Sequence, residues 1–134
     1  MPKKSRLEAE RAYHFGVKHL YATRYTQALP QLEVAAASAP GILEYALAEA
    51  WCRFRLASQT DGLLDMRDRL RDLAERTRAQ DSTLALPPYV LGHLSMIRGD
   101  NTKALQEFKL AAERAPDNGD ARRCIHVLSK RLGK

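Results

Sequence analysis

Apolar residues recur along this chain at steps of three to five with polar residues between them, a period that belongs to amphipathic helices. Seven segments follow from it. The first opens at Ser5, three residues before Glu8 in a capping-box arrangement, and runs to about Ala22 with Leu7, Ala12, Phe15, His19 and Ala22 in register. The second, about Tyr25 to Ala39, sets Ala28, Leu32, Ala35 and Ala36 on one face and stops before Pro40-Gly41, with Pro30 in or just past its first turn. Ile42 to about Ala57 forms a third helix on Leu43, Ala46, Leu47, Ala50, Trp51 and Phe54, and Ser58 to Asp61 breaks it. Gly62 to about Ala79 forms a fourth, with Leu63, Met66, Leu70, Leu73 and Ala74 inward. Pro87-Pro88 heads a fifth that reaches about Arg98, because proline is tolerated at a helix start. A sixth carries Ala104, Leu105, Phe108, Ala111 and Ala112 up to Pro116, and a seventh runs from about Asp120 to Leu132.

Two of these stretches repeat each other. Tyr13, Phe15, Gly16, Ala28, Leu29, Leu32, Ala35, Ala36, Ala39 and Pro40 return 76 positions later as Tyr89, Leu91, Gly92, Ala104, Leu105, Phe108, Ala111, Ala112, Ala115 and Pro116. Glycine inside a helix costs about 1 kcal/mol relative to alanine, so Gly16 and Gly92 are expected where a neighbouring helix comes close. Leu32 and Phe108 are expected to fill the wedge between one helix pair and the next.

The pattern of a glycine followed twelve residues on by A-L-x-x-[LF]-x-x-A-A-x-x-A-P resembles the tetratricopeptide repeat. The resemblance implies an all-α superhelix of antiparallel helix pairs. Two units of about 34 residues would set the copies about 68 apart; the observed 76 makes the middle unit longer, around Asp61-Gly62-Leu63 and Ala79 to Ser82. The implied organisation is a single domain over 1–134, with units 9–42, 43–84 and 85–118 and a capping helix over 119–132. The middle unit departs from the pattern by carrying Met66 where a small alanine is usual.

In this family the first helix of each pair lines a concave groove. The resemblance therefore implies a groove of Tyr13, Val17, Tyr21, Leu47, Trp51, Arg55, Tyr89 and His93, and a protein or peptide partner held across it. Trp51 is open to two readings, core or groove. Tyr13 and Val17 stand where one subgroup, which grips the C-terminal carboxylate of heat-shock chaperones, needs lysine and asparagine, so that clamp is not expected. The stretch from Tyr45 to Trp51 also resembles helical repeats that follow J domains or other regulatory domains in some bacterial proteins, although no His-Pro-Asp motif is present.

Composition and charge refine this picture. Apolar residues make up 45% of the 134, aromatics only 7%, which favours closely packed helices over sheet. The net charge of +6 is concentrated at Lys3, Lys4 and Arg6 and at Arg122, Arg123, Lys130, Arg131 and Lys134. Nucleic-acid binding through these ends is the second functional reading, and self-association, as a weak homodimer, the third. The pairs Asp65–Arg69 and Asp72–Arg76 have the spacing of a solvated helix face, so the run from Asp65 to Arg78 is read as wet surface. No apolar run approaches the ~20 residues of a membrane span, and the start lacks a secretory core, so a cytoplasmic protein is expected.

Candidate chemistry is sparse. Cys52 and Cys124 are far apart and lack CxxC spacing, so both are read as free thiols without assigned function. His14, His19, His93 and His126 have no HExxH ladder and are read as ordinary surface or groove histidines. No nucleophile elbow, P-loop or dinucleotide fingerprint occurs. The expectation is a non-enzymatic adaptor with no cofactor and no metal.

Overall fold

The computed structural model describes residues 3–57 and 62–133. The described residues form seven α-helices: α1 (Lys3–Tyr21), α2 (Tyr25–Ser38), α3 (Leu43–Leu56), α4 (Leu63–Gln80), α5 (Leu86–Ile97), α6 (Asn101–Arg114) and α7 (Gly119–Arg131). The chain is all-α, and none of these helices is long and apolar enough to cross a membrane. It divides into two compact units, 1–70 and 71–134, with the division inside α4.

In the first unit α2 packs against both α1 and α3, and α1 also touches α3. In the second, α6 packs in the same way against α5 and α7. Among the described residues α4 joins none of these close backbone pairings. Leu70 of α4 is buried and Met66 and Leu73 are half-buried, at the positions where the flanking copies carry Leu or Phe, Ala and Ala. Bulk at a helix contact sets the distance between axes.

The sequence repeat is a structural repeat. α2 and α6 begin and end at positions 76 apart, as do the C-terminal end of α1 and that of α5. The close approach at the two glycines is also repeated. A Cβ added at Gly16 would sit 2.6 Å from Leu32 Cδ2, and one added at Gly92 would sit 3.0 Å from the Phe108 ring. Leu32 and Phe108 thus lie over the glycine of their own hairpin, α1–α2 and α5–α6, where the sequence suggested the wedge between successive pairs.

The helix starts depart from expectation in places. α1 begins at Lys3, so Ser5 is inside the helix and is not its cap. Lys, Arg, Leu and Glu are all good helix formers, which lets the helix extend past the capping-box residue. Pro30 sits in the second turn of α2, where it forfeits one backbone hydrogen bond. The turn after α1 holds Thr23 at φ 59°, and the corresponding turn after α5 holds Gly99 at φ 84°. The break expected at Ser58 to Asp61 lies outside the described residues.

Candidate functional site

Each unit contains one tyrosine that reaches from its first helix to a carboxylate on its third. In the first unit the Tyr13 hydroxyl donates to Glu44 Oε2 at 2.8 Å; in the second the Tyr89 hydroxyl donates to Asp120 Oδ2 at 2.5 Å. Both bonds span 31 residues. Glu44 and Asp120 are each the second residue of their helices, where the unpaired amides of the first turn favour a negative charge. The 76-residue repeat therefore extends to a polar tie that the family pattern alone did not bring out. Burial of the Tyr13 ring raises its hydroxyl well above the usual tyrosine range, with the Glu44 charge adding to the effect.

Around this tie the two units diverge. In the first, Tyr13 stacks on Tyr45 with ring centroids 4.6 Å apart. In the second, Ala121 stands where Tyr45 would be, and His93 and Cys124 stand in place of Val17 and Ala48. His93 Nε2 lies 2.8 Å from Asp120 Oδ2, and its ring meets Tyr89 and Phe108 edge-on at 4.9 Å each. Arg123 reaches the other carboxylate oxygen, Asp120 Oδ1. His93, Asp120 and Cys124 are all buried, and one ligand atom from each lies within 4.8 Å of the others.

Asp120 is held well below the usual carboxylate range. Burial is the largest influence and pushes the other way, but the bonds from His93, Tyr89 and Arg123 and the His93 charge together outweigh it. Cys52 contrasts with this, since burial pushes its thiol up to about 11 and it donates to the Tyr25 carbonyl at 3.3 Å. That is an inert thiol.

The residues expected to line a groove are mostly interior. Leu47, Trp51 and Tyr89 are fully buried, Tyr13, Tyr21 and His93 are nearly so, Val17 is half-buried, and Arg55 alone of the eight is exposed. The two readings of Trp51 resolve to core, where it stacks on Phe54 at 5.6 Å. Tyr13 and Tyr89 are drawn inward because their hydroxyls have carboxylate partners there. Arg55 lies over the Trp51 and Tyr25 rings, its guanidinium carbon 5.5 Å from each, and its Nε donates to the Tyr25 hydroxyl. His14 and His126 are exposed, as read from the sequence, whereas His93 is neither a surface nor a groove histidine.

Two further sequence readings change. Phe15 fits the apolar spacing of α1 yet is 60% exposed, and Leu7 on the same helix is also exposed. Within the charged run of α4, Asp65–Arg69 and Asp72–Arg76 are solvated pairs as expected, but Arg78 turns inward to hold the buried Glu107 of α6 through both carboxylate oxygens, at 2.8 and 2.7 Å. A lone acidic residue two helices on carries no sequence signal for such a pairing. His93 and Cys124 could have been found by laying the two copies side by side beyond the family pattern, since both break an apolar match. No protein-family model matches the chain, and no curated protein matches its sequence.

Proposed function

We propose that this chain is a protein-interaction module of the tetratricopeptide type, which holds a segment of a partner protein rather than transforming a substrate. The observation that carries the reading is the duplicated hairpin, with a helix crossing over Gly16 or Gly92, the Leu32 or Phe108 side chain laid on the gap, and the next helix tied back by a tyrosine to a carboxylate. Such a plan stabilises a scaffold and leaves the outward positions free to vary. The outward positions that suit recognition in the first unit are Phe15 and Leu7 on α1, and Arg55 on α3 with its guanidinium already oriented by two rings.

The test is a screen of displayed peptides against the full chain, followed by Phe15→Ser and Arg55→Glu. Both substitutions are at exposed sites, so thermal unfolding should change little. The expected result is selection of a defined segment whose affinity falls at least about tenfold in one or both variants, a loss of about 1.4 kcal/mol or more. A selected segment that binds both variants as tightly as the parent would overturn this choice of surface. Selection of no segment, with binding of single-stranded or duplex nucleic acid that falls steeply with salt, would favour the basic residues of α7 instead.

A further inference from the structure

We propose that His93, Asp120 and Cys124 form a binding site for one divalent transition-metal ion of the zinc type, set between α5 and α7 of the second unit. The inference is separate from partner binding and rests on four observations.

The first is the donor set. Imidazole nitrogen, thiolate sulfur and carboxylate oxygen are the three ligand classes that zinc takes in proteins. Asp120 and Cys124 are four apart on α7 and so share one helix face, while Tyr89 and His93 are four apart on α5. Two helices thus present facing pairs, and three of the four side chains bring ligand atoms within 4.8 Å of one another.

The second is the closeness to ligand geometry. Around a tetrahedral zinc, two ligand atoms at about 2.0 Å from the ion lie roughly 3.3 Å apart. The His93 Nε2 to Asp120 Oδ2 separation is 2.8 Å, so the pair must open by about half an ångström, within reach of small side-chain rotations. In the metal-free state this gap is a hydrogen bond; in the bound state the ion occupies it. Binding displaces two protons to solvent, the one His93 Nε2 shares with Asp120 and the one on the Cys124 thiol, while Nδ1 keeps its own, which leaves Nε2 and the thiolate as ligands. Two negative ligands then balance the two charges of the ion, so the buried site is neutral.

The third is the set of outer hydrogen bonds. Tyr89 donates to Asp120 Oδ2 and Arg123 to Oδ1, the kind of support that orients a ligating carboxylate. The Arg123 side chain is 68% exposed, so the site has a polar flank toward solvent through which an ion can arrive.

The fourth is the control built into the molecule. The first unit makes the same tie from Tyr13 to Glu44 with Val17 and Ala48 in the places of His93 and Cys124. The tie therefore requires neither histidine nor cysteine. What histidine and cysteine add is two further ligand atoms within 4.8 Å of the Asp120 carboxylate and of each other.

The experiment uses the full reduced chain, stripped with a chelator and titrated with Co²⁺ as the spectroscopic probe. The expected result is one equivalent bound with a thiolate-to-cobalt absorption band and the intense visible bands of a tetrahedral site, displaced by Zn²⁺. Cys52→Ser should bind as the parent does. The double variant His93→Val with Cys124→Ala copies the first unit's residues, so it should fold, and it should lose at least about a hundredfold in affinity. A folded parent chain with no thiolate-to-cobalt band would overturn the proposal. So would a double variant that binds as tightly as the parent.

Discussion

The two units share a plan and differ in how well each position suits it. Where the second unit turns from α5 to α6 it uses Gly99 at positive φ and then Asp100, whose side chain accepts from Lys103 N at 3.2 Å; the first unit uses Thr23 and Arg24, with no side-chain cap on α2. At the third helix Asn118 accepts from Ala121 N at 3.0 Å, and Ile42 in its place has no side chain to do so. The first unit also carries Pro30 inside α2 where the second has Gln106. The lesson is that packing over the glycines and the tyrosine tie suffice to specify the arrangement. Good turn and cap residues raise its stability without deciding its form.

The largest effect should come from breaking the ties. Asp120→Ala leaves the Tyr89 hydroxyl and His93 without their buried partner and should cost about 3 kcal/mol, whereas Glu44→Ala, at a half-buried site, should cost about 1–2. Urea unfolding monitored by circular dichroism separates the two, and equal costs would show that the added neighbours of Asp120 contribute nothing. The same carboxylate sets an acid limit. Because its folded pKa lies below its unfolded value, its contribution is complete above about pH 4 and is lost as pH falls toward the folded value. The parent should therefore lose stability between pH 4 and strong acid more steeply than Asp120→Asn, measured as Tm against pH.

Filling the glycines should produce a smaller, unequal effect. Gly16→Ala drives a methyl to 2.6 Å from Leu32 and should cost about 1–2 kcal/mol net of the helix preference for alanine. Gly92→Ala, at 3.0 Å from a ring edge, should come out near zero on the same scale. Smaller again is the turn: Thr23→Gly should stabilise by about 1 kcal/mol by relieving a β-branched residue of a left-handed backbone, and Gly99→Thr should lose at least as much. The smallest is the cap, where Ile42→Asn should gain about 0.5–1 kcal/mol. Thermal melts of each variant against the parent check these three.

Helix positions were legible in the sequence because period, Pro and Gly act locally. All seven segments appear within a few residues of their expected bounds. What the sequence left out depends on contacts between helices. Phe15 fits the apolar spacing of α1, yet it is exposed because the face of α1 that packs is defined by Ala9, Gly16 and Leu20. Tyr13 and Tyr89 suit a recognition surface by residue type, but a hydroxyl with a carboxylate opposite is held inside, and Trp51 stacks on Phe54 in the core. Arg78 is one of several arginines in a charged run, and only the position of Glu107 distinguishes it. His93 and Cys124 are 31 residues apart and silent singly; they gain meaning only when Asp120 stands between them.

The claim that both units are held by the same tyrosine–carboxylate tie, stronger in the second, is tested most directly by paired double-mutant cycles. Tyr13→Phe with Glu44→Gln and Tyr89→Phe with Asp120→Asn would each be measured by urea denaturation. The expected coupling is about 1.5–3 kcal/mol for Tyr89–Asp120 and about 1 kcal/mol for Tyr13–Glu44. Coupling near zero in both cycles, or larger in the first unit than in the second, would contradict it.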